Sequence, residues 1–291
     1  MTGEAFHDEG TVAMTSDILV TGGTGTLGRQ LVPRLTVAGR TVRVLTRHAR
    51  PDTEHVAYAV GDLATGEGVE AAVDGVDVVV HCAGTGKDDV PTTRRLLRAL
   101  QTAGRTPHLV FISVVGADAV PVVSGTDRAM FGYFGMKAAT ERLVADSGLP
   151  WTTLRATQFH DLVLTVARGL AKMPVVPLPS GFRFQPVETD EVAERLAELT
   201  LADPAGLVPD FAGPRVCGVD ELMRAYLSAV GRRRPIVSVP LPGGAARAVR
   251  AGAVLNADRA VGTRTWEEFL AERLGRPATE PESPRVPGTG A

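Results

Sequence analysis

The chain has 291 residues, 44% of them hydrophobic and 22% charged, with a net charge of −2, the profile of a globular protein able to bury a core without staples. So small a net charge supplies no field for nucleic acid or an anionic membrane, and two distant cysteines, Cys82 and Cys217, make no disulfide framework and fit a reducing compartment, the cytoplasm. No apolar run approaches the roughly 20 residues that span a bilayer.

Residues 1–15 are polar, lack the apolar segment of a secretory signal and read as a disordered tail, removable by a start at Met14. Asp17-Ile18-Leu19-Val20-Thr21 is an apolar run ending at glycines, the pattern of a buried parallel strand. Leu27, Leu31, Val32 and Leu35 recur at helical spacing until Gly39, with Pro33 expected to weaken or kink that helix. Strands follow at 41–46, 56–60 and 76–81, with a weak helix at 69–73 and an Arg-rich amphipathic helix at 92–103. A strand at 108–113, a helix at 133–147 and a strand at 151–155 continue the alternation. Strand and helix in strict alternation predict an α/β, Rossmann-type doubly wound parallel sheet over residues 16–155, with ligands at the C-terminal ends of its strands.

Past Arg155 the alternation fails. Helices at 161–171, 190–200, 219–230, 245–254 and 266–274 are mixed with a proline-rich segment at 173–180, a strand-like 182–187 and a strand at 236–239. These pieces predict a small C-terminal, substrate-covering lobe over 156–275 that also completes the core. Residues 276–291, rich in Pro, Gly and Glu, read as a second disordered tail.

Gly22, Gly25 and Gly28 lie between the first strand and the first helix. The first permits a tight turn, the second lets backbone approach a pyrophosphate, and the third lets helix and strand pack closely. Thr24, Thr26 and Leu27 complete the turn. The helix N-terminus behind it presents unpaired N–H groups to phosphate. Where an NAD-binding chain would carry a carboxylate after the second strand, this one has Thr46-Arg47-His48. Arg47 favours a ribose 2′-phosphate, hence NADP(H) over NAD(H). Asp62 and Leu63 follow the third strand, where Asp62 is either an acceptor for an adenine amine or an ordinary turn aspartate. Ala83, Gly84 and Thr85 follow the fourth strand and let the chain pass close to a cofactor, with Lys87 beyond them.

Tyr133 and Lys137 are four residues apart on a predicted helix and share a face. An ammonium beside a phenol favours the phenolate, and such a tyrosine can exchange a proton with a carbonyl oxygen as hydride arrives or leaves. Lys87, Lys137 and Lys172 are the chain's only lysines, so the pairing seldom arises by chance. Ser113 ends the fifth strand at the same sheet edge, placed to polarise a carbonyl.

The glycine-rich opening, Arg47, Ser113 and Tyr133-Phe134-Gly135-Met136-Lys137 resemble the short-chain dehydrogenase/reductase superfamily. The Gly-x-x-Gly-x-x-Gly spacing resembles its extended and atypical members, and Ser147-Gly148-Leu149-Pro150-Trp151 through Gln158-Phe159 is similar to its NmrA-like, NAD(P)H-binding branch. The resemblance covers about residues 16–275. It implies NADP(H) binding, with Lys137 at the nicotinamide ribose and Ala156, Thr157 and Phe159 beside the nicotinamide. Some members of that branch reduce quinones, dyes or imines, and others only sense the cofactor.

Phe131, Phe134, Phe159 and Phe182 are candidates to line an apolar substrate cavity. Gln158 and Gln185 are candidates to orient a polar substrate atom, and His160 reads first as a surface or helix-start histidine and second as an acid/base group at the substrate. Metal-ligand spacing and a Gly-x-Ser-x-Gly elbow are absent. The expected function is an NADPH-dependent reductase of a small-molecule ketone, quinone or related unsaturated substrate, in secondary metabolism, acting as monomer or homodimer. A non-catalytic NADP(H) sensor and a non-reductive epimerase, dehydratase or coupling enzyme are the alternatives.

Overall fold

The computed structural model of the chain describes residues 17–84, 88–104 and 106–275. Alternation opens with β1 (Ile18–Thr21), α1 (Gly28–Val37), β2 (Val42–Thr46), β3 (Val56–Val60), α2 (Val69–Val73) and β4 (Val78–His81). It continues with α3 (Asp89–Thr102), β5 (His108–Val114), α4 (Gly125–Ala145) and β6 (Trp151–Ala156). Then come α5 (His160–Leu170), β7 (Val176–Pro179), β8 (Arg183–Phe184), α6 (Thr189–Leu201), β9 (Gly206–Leu207) and β10 (Cys217–Gly218). The last elements are α7 (Val219–Ala229), β11 (Ile236–Val239), α8 (Gly244–Arg250) and α9 (Trp266–Leu274).

The central sheet is parallel, in the order β3-β2-β1-β4-β5-β6-β9. Its register aligns Thr21 with Leu45 of β2 and with His81 of β4. Strand order therefore reverses at β1, between its neighbours β2 and β4, which is where a doubly wound sheet opens a crevice at its C-terminal edge. Among the described residues no helix is long and apolar enough to cross a membrane.

The chain divides into two compact units. The first holds the described residues up to Phe111 with Thr140–Thr152 and Ala193–Gly206. Leu19, Val79 and Leu109 pack there with Val69 and Val73 of α2 and Leu96 and Leu100 of α3. Side chains alternate across a strand, so Ile18 and Val20, also fully buried, take the opposite sheet face. The second unit holds Ile112–Ala139, Thr153–Val192 and the described residues from Leu207 onward. One of its cores joins Leu164, Leu178, Leu222, Tyr226, Trp266 and Phe269. Thr265 caps α9 in a capping box: the Glu268 N–H donates to the Thr265 hydroxyl, and the Glu268 carboxylate accepts from the Thr265 N–H at 2.8 Å.

The two-residue strands β9 and β10 are not in the sequence expectation, the helix expected over 245–254 ends at Arg250, and four further elements differ. First, α1 runs unbroken through Pro33. Pro33 is exposed while Leu31 and Leu35 are fully buried, so packing of the apolar face holds the helix against the local penalty. Second, α4 starts at Gly125 rather than Tyr133. Ser124 supplies the cap: its Oγ accepts from the Asp127 N–H at 3.0 Å while its own N–H donates to Asp127 Oδ2 at 3.1 Å. Hydrogen bonding to Ser124 holds the Asp127 carboxyl below its usual range. Third, part of the proline-rich segment is a strand, β7, parallel to β11. Buried Val176 and Leu178 alternate with Pro177 and Pro179, and the N–H groups of Val176 and Ser180 at the two ends donate to the Pro235 and Val239 carbonyls at 2.9 Å, so the prolines fall between donor positions. Fourth, only Arg183–Phe184 of the expected strand at 182–187 is strand, paired antiparallel with β10.

Candidate active site

In the first unit the C-terminal ends of β1, β2, β3 and β4 border a groove of about 480 Å³. Gly22 has a φ of +71°, and a Cβ on it would lie 2.7 Å from the Ala83 nitrogen. A Cβ on Gly28 would lie 2.3 Å from the Gly22 carbonyl oxygen and 2.4 Å from the Gly23 Cα. The turn is closed by the Gly25 N–H donating to the Gly22 carbonyl at 2.9 Å. α1 carries no acidic residue in its first turn, so the positive end of its dipole is not offset locally. A pyrophosphate approaching this turn meets backbone instead of side chains, and these residues fit a dinucleotide.

Gly22, Thr24, Gly25, Arg47, Asp62, Leu63, Ala83 and Gly84 all line the groove. Leu27 and Gly28 are buried beneath the turn, and Thr26 is exposed. Thr85 and Lys87 lie outside the described residues. Asp62 Oδ1 accepts from the Ala64 N–H at 2.8 Å, which commits one carboxylate oxygen to its own turn. His48, named beside Arg47 in the sequence, also lines the groove, as does Arg50, and so do Asp88, Asp89 and Thr92, which no sequence motif marks. The signal for Arg50 was available, since Arg47, His48 and Arg50 put three basic side chains in four positions after β2. Arg50 is steadied by Tyr58, whose ring centroid lies 5.9 Å from the guanidinium carbon.

In the second unit, Ser113 and Lys137 are almost fully buried. The Lys137 ammonium donates to the Ile112 carbonyl at 3.3 Å and lies 5.9 Å from the Tyr133 ring centroid. The Ser113 hydroxyl, next along β5, is buried with no hydrogen-bond partner among the described residues. Tyr133 is 42% exposed and packs edge-on against Phe134 at 5.8 Å. The interval between Ser113 and Tyr133 turns at Gly116, whose φ is +96° and where a Cβ would lie 2.7 Å from the Ala253 carbonyl. α4 then packs at Gly135 close to Val122.

The remaining candidates fall in the same unit. Ala156 and Phe159 form isolated bridges with Phe211 and Val187, and the buried Thr157 hydroxyl accepts from the Gly213 N–H at 3.2 Å. Phe131 and Phe182 stand together, centroids 6.2 Å apart, in an apolar cavity that Gln158 and Phe184 also line. Phe134 packs beside that group. Gln185 is spent on structure: its Nε2 donates to the Gly213 and Asn256 carbonyls at 2.7 and 3.2 Å, and its Oε1 accepts from the Asn256 N–H at 2.9 Å. His160 begins α5 fully buried, 4.9 Å from Phe269 and 5.8 Å from Trp266 between ring centroids. Its Nδ1 lies 3.6 Å from Glu188, and it lines neither cavity. Burial pushes the Glu188 carboxyl up, but interaction with His160 and Arg264 outweighs this and leaves it below its usual range.

Comparison with known proteins shows the chain's family. A family model described as NAD(P)H-binding matches residues 22–199. The chain is 34% identical over 230 residues to a (4-alkanoyl-5-oxo-2,5-dihydrofuran-3-yl)methyl phosphate reductase of Streptomyces griseus, covering 74% of each chain. It is 32% identical over 243 residues to the photosystem II assembly factor Ycf39 of Synechocystis, covering 77% of this chain and 71% of the other. Mycobacterial relatives 30% identical over 229 residues are far longer, and the chain spans 24% of their length. Among solved structures, an NADPH-dependent quinone oxidoreductase of Escherichia coli shares the fold with a TM-score of 0.64 at 19% identity, over 90% of this chain and 96% of that one. The chain belongs to the NAD(P)H-binding family.

Proposed function

We propose that the protein is an NADPH-dependent reductase of a small-molecule ketone, quinone or related unsaturated compound. The observation that carries this reading is the corner formed by Ser113 and Lys137. A buried ammonium is held by the Ile112 carbonyl, the adjoining Ser113 hydroxyl is buried without a partner among the described residues, and Tyr133 stands one helical turn before Lys137. Ser113 donates a hydrogen bond to the substrate oxygen, and the Tyr133 hydroxyl delivers a proton to it. The Lys137 cation stabilises the phenolate left behind. NADPH, when bound, supplies the hydride that completes the reduction.

Preference for the 2′-phosphorylated cofactor is supported by Arg47, His48 and Arg50 along the groove, since guanidinium groups recognise phosphate through paired charge-assisted hydrogen bonds. The printed name of the Streptomyces griseus relative is that of a reductase, which agrees with the reading. The test is consumption of NADPH and of NADH by the purified protein with a panel of ketones and quinones. Turnover with NADPH favoured over NADH is expected, and equal use of both would remove the cofactor assignment.

A cofactor-binding protein without chemistry is the second reading, favoured by the likeness to a photosystem II assembly factor. Tight NADPH binding with no consumption across that panel would support it.

A further inference from the structure

The second unit contains a cavity of about 440 Å³ whose lining includes Phe131, Ala167, Leu178, Phe182 and Met223, within the range of small-molecule sites. Among the described residues Gln158 supplies the only polar side chain in that lining, and its amide is committed. Its Oε1 accepts from the Gln185 N–H at 3.1 Å, and its Nε2 donates to the Val254 carbonyl at 3.2 Å. A charged group placed there would lose its hydration and find no counter-charge.

Two further features say what enters. Met130, which lines the cavity, lies three residues before Tyr133 on α4, so the two share a face about 4.5 Å apart along the helix axis. Leu162 and Val166, four residues apart on α5, line the same cavity while remaining 55% and 52% exposed. Large apolar side chains thus extend from the interior to the solvent side.

We infer that this cavity is the subsite for the uncharged apolar portion, an alkyl chain or plain ring system, of the compound whose oxygen is protonated by Tyr133. The inference rests on the reductase reading and narrows its substrate class to lipophilic ketones and quinones. Reduction of a ketone adds a hydride from NADPH to the carbonyl carbon and a proton from Tyr133 to its oxygen, and it leaves an alkyl chain unchanged; reduction of a quinone places both hydrogens on its oxygens as hydroquinone.

The test reads binding apart from turnover. Nile red, an uncharged fluorophore, is displaced by methyl ketones with alkyl chains from ethyl to decyl, and by dodecanoate. The inference predicts tighter displacement by about threefold per added methylene until the cavity is full, and at least roughly tenfold weaker displacement by dodecanoate than by the matching ketone. Ala167→Phe fills the cavity, and Val166→Asp puts a charge on the exposed rim where folding is not at stake. Each is expected to weaken ketone displacement about tenfold or more, with the NADPH dissociation constant unchanged. Affinity independent of chain length, or equal binding of the carboxylate, would overturn the inference. Chain-length-dependent binding without NADPH consumption would support the cavity assignment and remove the reductase reading.

Discussion

His81 Nδ1 lies 2.7 Å from Thr21 Oγ1, and the opposite ring nitrogen lies 2.9 Å from Thr93 Oγ1. Thr21 ends β1, His81 ends β4 and Thr93 belongs to α3, so one buried imidazole joins three elements where the strand order reverses. The Thr21 hydroxyl also accepts from the Ala83 N–H at 3.3 Å, and His81 stacks on Phe111 at 5.7 Å. The groove therefore stands on a hydrogen-bonded base. Replacing Thr21→Val keeps the shape and removes these bonds. Urea unfolding should show a loss of roughly 1–3 kcal/mol, the cost of breaking buried hydrogen bonds.

Gly28→Ala asks whether close packing under the turn matters. Its added methyl would meet the Gly22 carbonyl and the Gly23 Cα, both backbone, so the turn has to open. The expected result is NADPH affinity reduced by about tenfold or more, with lowered thermal stability.

Arg47→Ala and Arg50→Ala address cofactor choice. A lost hydrogen bond to a charged group costs about 1.5–3 kcal/mol, so each variant should bind NADPH about tenfold to a hundredfold more weakly. NADH, lacking the 2′-phosphate, should bind as before. Parallel fluorescence titrations with both cofactors give the ratio, and loss of both affinities together would assign these arginines to folding.

His108 sets a pH dependence. Burial lowers its pKa from 6.5, with the charge of Asp203 opposing in part, and its Nε2 lies 2.8 Å from the Thr152 hydroxyl. The folded-state value is the lower one, so the unfolded chain takes up this proton first as pH falls. Its contribution is complete above 6.5 and declines as pH drops through that value toward the folded pKa. Melting curves between about pH 8 and about pH 5.5 should show this decline, and His108→Gln should flatten it.

The first unit was the more legible from sequence because its signals are local. A Gly-rich turn between an apolar run and a 3.6-period helix leaves few alternatives, and β3 and α2 fall on the residues that periodicity indicates. Tyr133 and Lys137 were visible as a spacing, but α4's true start was not. Gly125, Gly132 and Gly135 dilute its apolar pattern, and the cap at Ser124 depends on a carboxylate three residues ahead. Val176-Pro177-Leu178-Pro179 reads as a loop until β11 is known to lie beside it. Gln185 illustrates a further limit: a glutamine's spelling does not reveal that its amide bonds backbone 28 and 71 residues away. Arg50 stands three residues past Arg47 in the sequence and lines the same groove.

The central claim is that Tyr133 delivers a proton in an NADPH-dependent reduction, and Tyr133→Phe tests it most directly. Steady-state turnover of a lipophilic ketone or quinone is measured beside the NADPH dissociation constant. The account predicts a fall in kcat of about 10²–10⁴-fold with cofactor affinity unchanged. A variant that turns over at the wild-type rate while still binding NADPH would contradict it.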